Sequence, residues 1–194
     1  MSWKFGDDTA YNLGRVTLNP IAHTDPIGTL LLPILGFLSA SMGGLALLGW
    51  GKPCPINPRN WANYKKANFW VSLAGVLGNL ILVFVAFALI KVVVSLGYYQ
   101  AIEFVSRTQD AIVMFVQSLL LMNVSLIVFN LLPFPPLDGS KILSNFLPPS
   151  FQPVFDMLDQ YGVIFLWILV ISGVTGYIFR PVFELVVYLI LLVN

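Results

Sequence analysis

Residues 69–90 and 111–132 each run without a single Asp, Glu, Lys or Arg. Helix rising about 1.5 Å per residue crosses the roughly 30 Å hydrocarbon layer of a bilayer in about 20 residues, and within that layer every backbone N–H and C=O must be paired inside the segment. Charge-free runs of this length therefore predict membrane-spanning helices. Residues 27–49 form a third such run, in which Pro33, Gly36, Gly43 and Gly44 suggest kinks or close helix contacts. Residues 162–179 form a fourth, followed after Arg180 and Pro181 by a shorter run to residue 193 that carries Glu184. This last piece is readable as a short tilted helix, an interfacial helix or half of a re-entrant pair. The expected fold is all-α: a polytopic membrane protein with four to five transmembrane helices and a short polar N-terminal hairpin or loop.

Composition agrees, with 58% apolar and 10% charged residues against about 25% charged in soluble domains. Ten basic and nine acidic side chains nearly balance, which excludes a basic nucleic-acid surface. Cys54 is alone and cannot form an internal disulfide; a small loop thiol is a plainer reading than a palmitoylation site. Residues 1–26 are too polar to span and too rich in Gly, Pro, Asn and Asp for a continuous helix. The alternation over Arg15, Val16, Thr17 and Leu18 favours a short strand or hairpin at the membrane surface. The chain divides on this reading into a surface segment, 1–26, and a transmembrane domain, 27–194. No apolar run suited to a signal peptide precedes the first span. Lys52, Arg59, Lys65 and Lys66 concentrate in the loop 51–68 and put it in the cytoplasm; the loop 91–110 then lies outside and the loop 133–161 returns inside. Trp50, Trp61 and Trp70 flank the basic loop as expected of interfacial anchors. No repeat supports a transporter with inverted halves.

Polar groups at membrane depth are costly and begin as functional candidates. Three stand out: Asn79 in the run 69–90, Asn130 near the end of the run 111–132, and Asp138 just beyond it. Pro133, Pro135 and Pro136 end the helix and hold an extended segment, which sets Asp138 and Gly139 at a turn near the membrane boundary. By themselves these residues also have plain structural readings. An isolated Asp-Gly is usually a turn, Asn79 can bridge two helices, His23 can be a surface histidine, and Glu184 can pair with Arg180 one helical turn earlier.

Four blocks in order, GRVTLNPIAHTDPIGTLLLP (14–33), WGKPCPINPRNW (50–61), LAGVLGNL (73–80) and NLLPFPPLDGSKIL (130–143), together resemble the site-2 protease family of intramembrane zinc metalloproteases. The resemblance implies bound zinc and membrane-spanning protein substrates, in a bacterial cell membrane. In that family two histidines of an HExxH helix and the Asp of the LDG motif hold the metal, with the intervening Glu activating water. It assigns Asp138 as a metal ligand and Asn130 as the residue positioning substrate or oxyanion. His23 and Asn19 become residues orienting substrate, and Asn79 is a further candidate for binding it. HExxH does not occur in the sequence, and His23 is the sole histidine. The family would place that helix ahead of Gly6, Asp7 and Asp8. Val76, Gly78 and Ser140 are smaller departures from its pattern. The chain as given is therefore expected not to bind zinc tightly by itself and to be truncated or inactive; the alternative is a catalytically dead scaffold or regulator that binds transmembrane helices. Zinc held by His23, Cys54 and Asp138 is disfavoured, because no general base would remain.

Overall fold

The structure, a computed structural model, describes residues 1–41, 51–96 and 110–192. Its contacts divide into two compact units, Met1–Ala67 and Asn68–Asn194.

In the first unit the chain advances by short turns. A 3-10 turn, Ser2–Phe5, precedes α1, Thr9–Asn12, and a second, Pro20–His23, follows it. A wide π-type turn, Pro26–Leu31, then leads into α2, Leu32–Ser41, and Asp25 caps that turn by accepting from the Ile27 and Gly28 N–H groups at 3.0 and 2.7 Å. The strand expected near Arg15 is not formed, and no strand occurs among the described residues. Two causes are visible. Gly14 takes a left-handed φ of 65°, which turns the chain out of an extended path. The Arg15 guanidinium folds inward onto the carbonyls of Ala22, Lys52 and Pro53, so the side chain that was to alternate outward is buried. Trp61 likewise departs from its expected role as an interfacial anchor. It is 9% exposed and donates its indole N–H to Ser2 Oγ at 2.7 Å. Trp50 lies outside the described residues, as do Gly43 and Gly44. Of the first expected span, 27–49, the described part is helical from Pro26 to Ser41, and the rest lies outside the described residues.

Among the described residues four helices are long and apolar enough to cross a membrane: α3, Tyr64–Ser95; α4, Ala111–Asn130; α6, Gln152–Ile171, with its leading turn from Pro149; and α7, Val174–Leu191. The chain is thus a multi-pass, all-helical integral membrane protein. α3 has 32 residues, about 48 Å of helix, so its charge-free centre spans while Lys65, Lys66 and Lys91 fall toward its ends. α4 starts where Asp110 accepts from the Ile112 and Val113 N–H groups. The short α5, Asp138–Ser144, lies between α4 and α6.

Val83, Ala86 and Ile90 of α3 recur at helical spacing and meet Val113, Val116, Leu120 and Val124 of α4 and Val186 and Ile190 of α7 in one buried cluster. Lipid is as apolar as these side chains, so close packing, and not exclusion of water, holds the helices together. Polar groups along α4 turn onto their own helix: Asn123 donates to the Leu119 carbonyl and Ser125 to that of Leu121.

The C-terminal spans differ from expectation. The break falls not at Arg180 and Pro181 but at Gly173, whose φ of 75° ends α6 and starts α7. Pro181 lies inside α7, and α6 begins ten residues before Gly162. Proline is tolerated inside a membrane helix. A left-handed turn, in contrast, favours glycine, and Gly173 supplies it.

Candidate functional site

The corner between α4 and α5 is built by the proline-rich segment. Leu131 and Leu132 donate back to the carbonyls of Ile127 and Phe129, closing α4, and Leu137 donates to Phe134 across the turn. The Pro135–Pro136 peptide bond is cis. Gly139 lies so close to the Leu131 and Leu132 carbonyl oxygens that a Cβ at this position would collide with backbone. Only glycine lets α5 begin tight against the end of α4. The far end of α5 is fastened by Asn68 of α3, which is 7% exposed and donates to the Lys141 carbonyl at 3.1 Å. Phe69 and Phe146 meet edge to face beside it.

Asp138 is thereby set at the first turn of α5 with its side chain 29% exposed. Oδ1 takes Lys141 Nζ at 3.3 Å, three residues along the same helix. Oδ2 points toward α3, where a Cβ on Gly75 would stand 3.7 Å away. Gly75 thus leaves the carboxylate room on that side. Asn79 follows Gly75 by four residues, on the same face of α3. It is half-buried and has no hydrogen-bond partner among the described residues. Asn130 is half-buried, with its amide nitrogen turned back to the Leu126 carbonyl at 2.9 Å.

The other two sequence candidates belong to the N-terminal unit, and their polar atoms are engaged locally. Asn19 caps the Pro20–His23 turn by accepting from the Ile21 N–H at 3.1 Å. His23 Nε2 meets the Thr17 carbonyl at 2.9 Å, while the His23 carbonyl accepts from the Lys52 N–H. Cys54 is exposed.

Among the described residues no three His, Cys, Asp or Glu side chains gather closely enough to hold a metal ion. A zinc centre requires at least three protein ligands, and Asp138 offers one carboxylate whose nearest charged partner is a lysine. The donors among the described residues do not make a complete zinc site.

Lys141, Gly75 and Asn68 shape this corner and were not singled out from sequence. Lys141 had a readable signal, its three-residue spacing from Asp138 at the start of a helix. Gly75 and Asn68 act through contacts between distant helices, which no local pattern announces.

The model of peptidase family M50 matches residues 58–169. "Putative zinc metalloprotease YwhC" of Bacillus subtilis is 35% identical over 181 residues, covering 93% of this chain and 76% of the relative. "Putative zinc metalloprotease Rip2" of Mycolicibacterium smegmatis is 30% identical over 95% of this chain, and the Mycobacterium tuberculosis protein of that name is 29% identical over the same share. The chain spans 63% and 64% of those two relatives. No solved structure matches the chain.

Proposed function

Because the chain belongs to peptidase family M50, the site-2 protease family, we propose that it provides the aspartate-bearing part of an intramembrane zinc protease acting on membrane-spanning proteins in a bacterial cell membrane. Asp138 supplies one metal ligand, and the remaining ligands come from outside these 194 residues. One observation carries the reading: a half-buried carboxylate held at a tightly built helix corner, with one oxygen facing the space that Gly75 leaves. Asn130 and Asn79 are the amides assigned to substrate, Asn130 once its amide leaves the Leu126 carbonyl. His23 and Asn19 are assigned to orienting it. Residues 1–26 form the surface segment and the remainder the protease-like domain.

On this reading the 194 residues alone carry no stoichiometric zinc and cut nothing. The test is metal content and cleavage of a membrane-spanning reporter, measured for the chain alone and with a membrane helix bearing HExxH supplied in trans. Zinc and cleavage should both appear only in the second case, and Asp138→Asn should remove both. One zinc per chain without the added helix would overturn the proposal.

The ion pair of Lys141 with Asp138 favours a second reading, in which the carboxylate is neutralised within the chain and the protein is a catalytically inactive scaffold for transmembrane helices. Failure of zinc to bind even with the added helix, together with retention of a helical partner through purification, is the result that selects it.

A further inference from the structure

α7 has two unlike faces. Val182, Phe183, Val186 and Ile190 pack on the core formed with α3 and α4. On the opposite side Tyr177, Arg180, Glu184 and Tyr188, three and four residues apart, form one stripe. Tyr177 is 84% and Tyr188 59% exposed. The Arg180 and Glu184 side chains are 80% and 65% exposed and meet each other at 2.8 Å through Nε and Oε1. Neither side chain has another hydrogen-bond or ion-pair partner among the described residues.

Depth makes this stripe unusual. Arg180 lies about 9 Å of helix from the start of α7, and Glu184 about 10 Å from its end. With α7 crossing the bilayer, as its length and composition allow, the pair lies inside the hydrocarbon layer and not among headgroups. Charges facing lipid at that depth are strongly disfavoured. Pro181, on the same face, has no N–H to give the Tyr177 carbonyl, which leaves a backbone acceptor beside the pair without its usual helical donor. A groove of about 500 Å³ runs along the flank, lined by Gly176, Phe179, Arg180, Phe183, Glu184 and Val187. Gly173 and Gly176 have open space around them, so a neighbouring backbone can approach closely.

We infer that this face of α7 is the seam of a homodimer within the membrane, in which Arg180 of each chain pairs with Glu184 of the other. Charge pattern selects the occupant. The stripe carries one positive and one negative group a helical turn apart and is neutral as a whole, so it complements a second copy of itself. A foreign helix would need the matching pair at the matching depth. About a two-fold axis normal to the membrane the helices run parallel, and the four-residue offset, about 6 Å, is within reach of an arginine side chain. Each charge then has an opposite charge on both chains, and the tyrosine hydroxyls supply donors for the Tyr177 carbonyl and the free carboxylate oxygen.

The test uses the full chain, purified and reconstituted in phosphatidylcholine vesicles, with self-association followed by energy transfer between labelled copies. Wild type should associate. Arg180→Glu and Glu184→Arg should each weaken association about tenfold or more, because like charges then face each other. Mixing the two variants should restore it, since one chain now carries two negative and the other two positive groups. Recovery on mixing cannot come from a variant that fails to fold. A monomeric wild type, single variants that associate as wild type does, or a mixture that stays apart would each overturn the inference.

Discussion

Asp7 and Asp138 are both carboxylates held by short helical turns, yet they have opposite surroundings. Asp7 is fully buried and accepts from five donors: Thr9 N at 3.1 Å, Thr9 Oγ1 at 2.5 Å, Asn60 Nδ2 at 3.5 Å, Ser2 Oγ at 2.8 Å and Asn57 N at 2.9 Å. Asp138 has one partner, Lys141, and an oxygen facing the space beside Gly75. A carboxylate whose lone pairs are all engaged within the fold is a structural joint, here tying residues 2–9 to the loop at 57–60. One with an unengaged oxygen is free to meet something else. Their physical roles are thus told apart by satisfaction, and not by residue type or by neighbouring motif.

The largest effect expected from breaking this contrast is at Asp7. Asp7→Ala strands several buried donors and should cost about 3 kcal/mol or more, read as a lowered unfolding midpoint in detergent. A loss as small as that of Asp138→Ala would erase the distinction.

Acid sharpens the same point. Burial pushes the Asp7 carboxyl up, but the hydrogen bonds from Thr9, Asn57 and Ser2 outweigh it and hold the group well below the usual carboxylate range. A depressed folded pKa contributes stability that is complete above the unfolded value near 4 and is lost as pH falls below it toward the folded value. Melting temperatures across that range should fall for wild type and change less for Asp7→Asn.

Next in size is the corner that carries Asp138. Gly139→Ala forces a methyl against the Leu131 and Leu132 carbonyls and should cost about 1–3 kcal/mol. Gly78→Ala, placed in open space on α3, should be neutral or stabilising by up to about 1 kcal/mol. Equal effects from the two would mean that the corner yields more easily than its contacts imply.

The smallest effect belongs to the ion pair itself. Lys141→Met and Asp138→Asn remove a half-exposed i,i+3 pair and should each change stability by less than about 1 kcal/mol, measured by the same denaturation. A much larger loss would make Asp138 a joint like Asp7.

How far the sequence reveals this depends on the range of the forces involved. The spans α3 and α4 follow from runs without charge, because lipid penalises every polar side chain independently of what lies elsewhere. The proline-rich corner is equally local. The turn at Gly173 was missed because Arg180 and Pro181 looked like a boundary, although a charged pair and a proline can both sit inside a membrane helix when the bundle accommodates them. The N-terminal strand was misread because alternation describes which residues are polar and not where Arg15 finds carbonyls. Likewise, no pattern shows that Asn130 turns toward Leu126, that Asn19 caps a turn, or that His23 meets Thr17. The family was readable from four ordered blocks, but Asp138 faces Gly75, more than sixty residues away in the chain.

One contact has a mechanical consequence. α6 is nearly bare along its length, yet at Gly162 its backbone presses on Pro135, closer than any side chain would permit, and Phe165 stacks obliquely on Phe134. A rod seated this closely on the proline-rich corner passes part of its tilt to that corner. Bilayers of different thickness tilt such a rod by different amounts, so the lipid around α6 has a direct lever on the bend that seats Asp138.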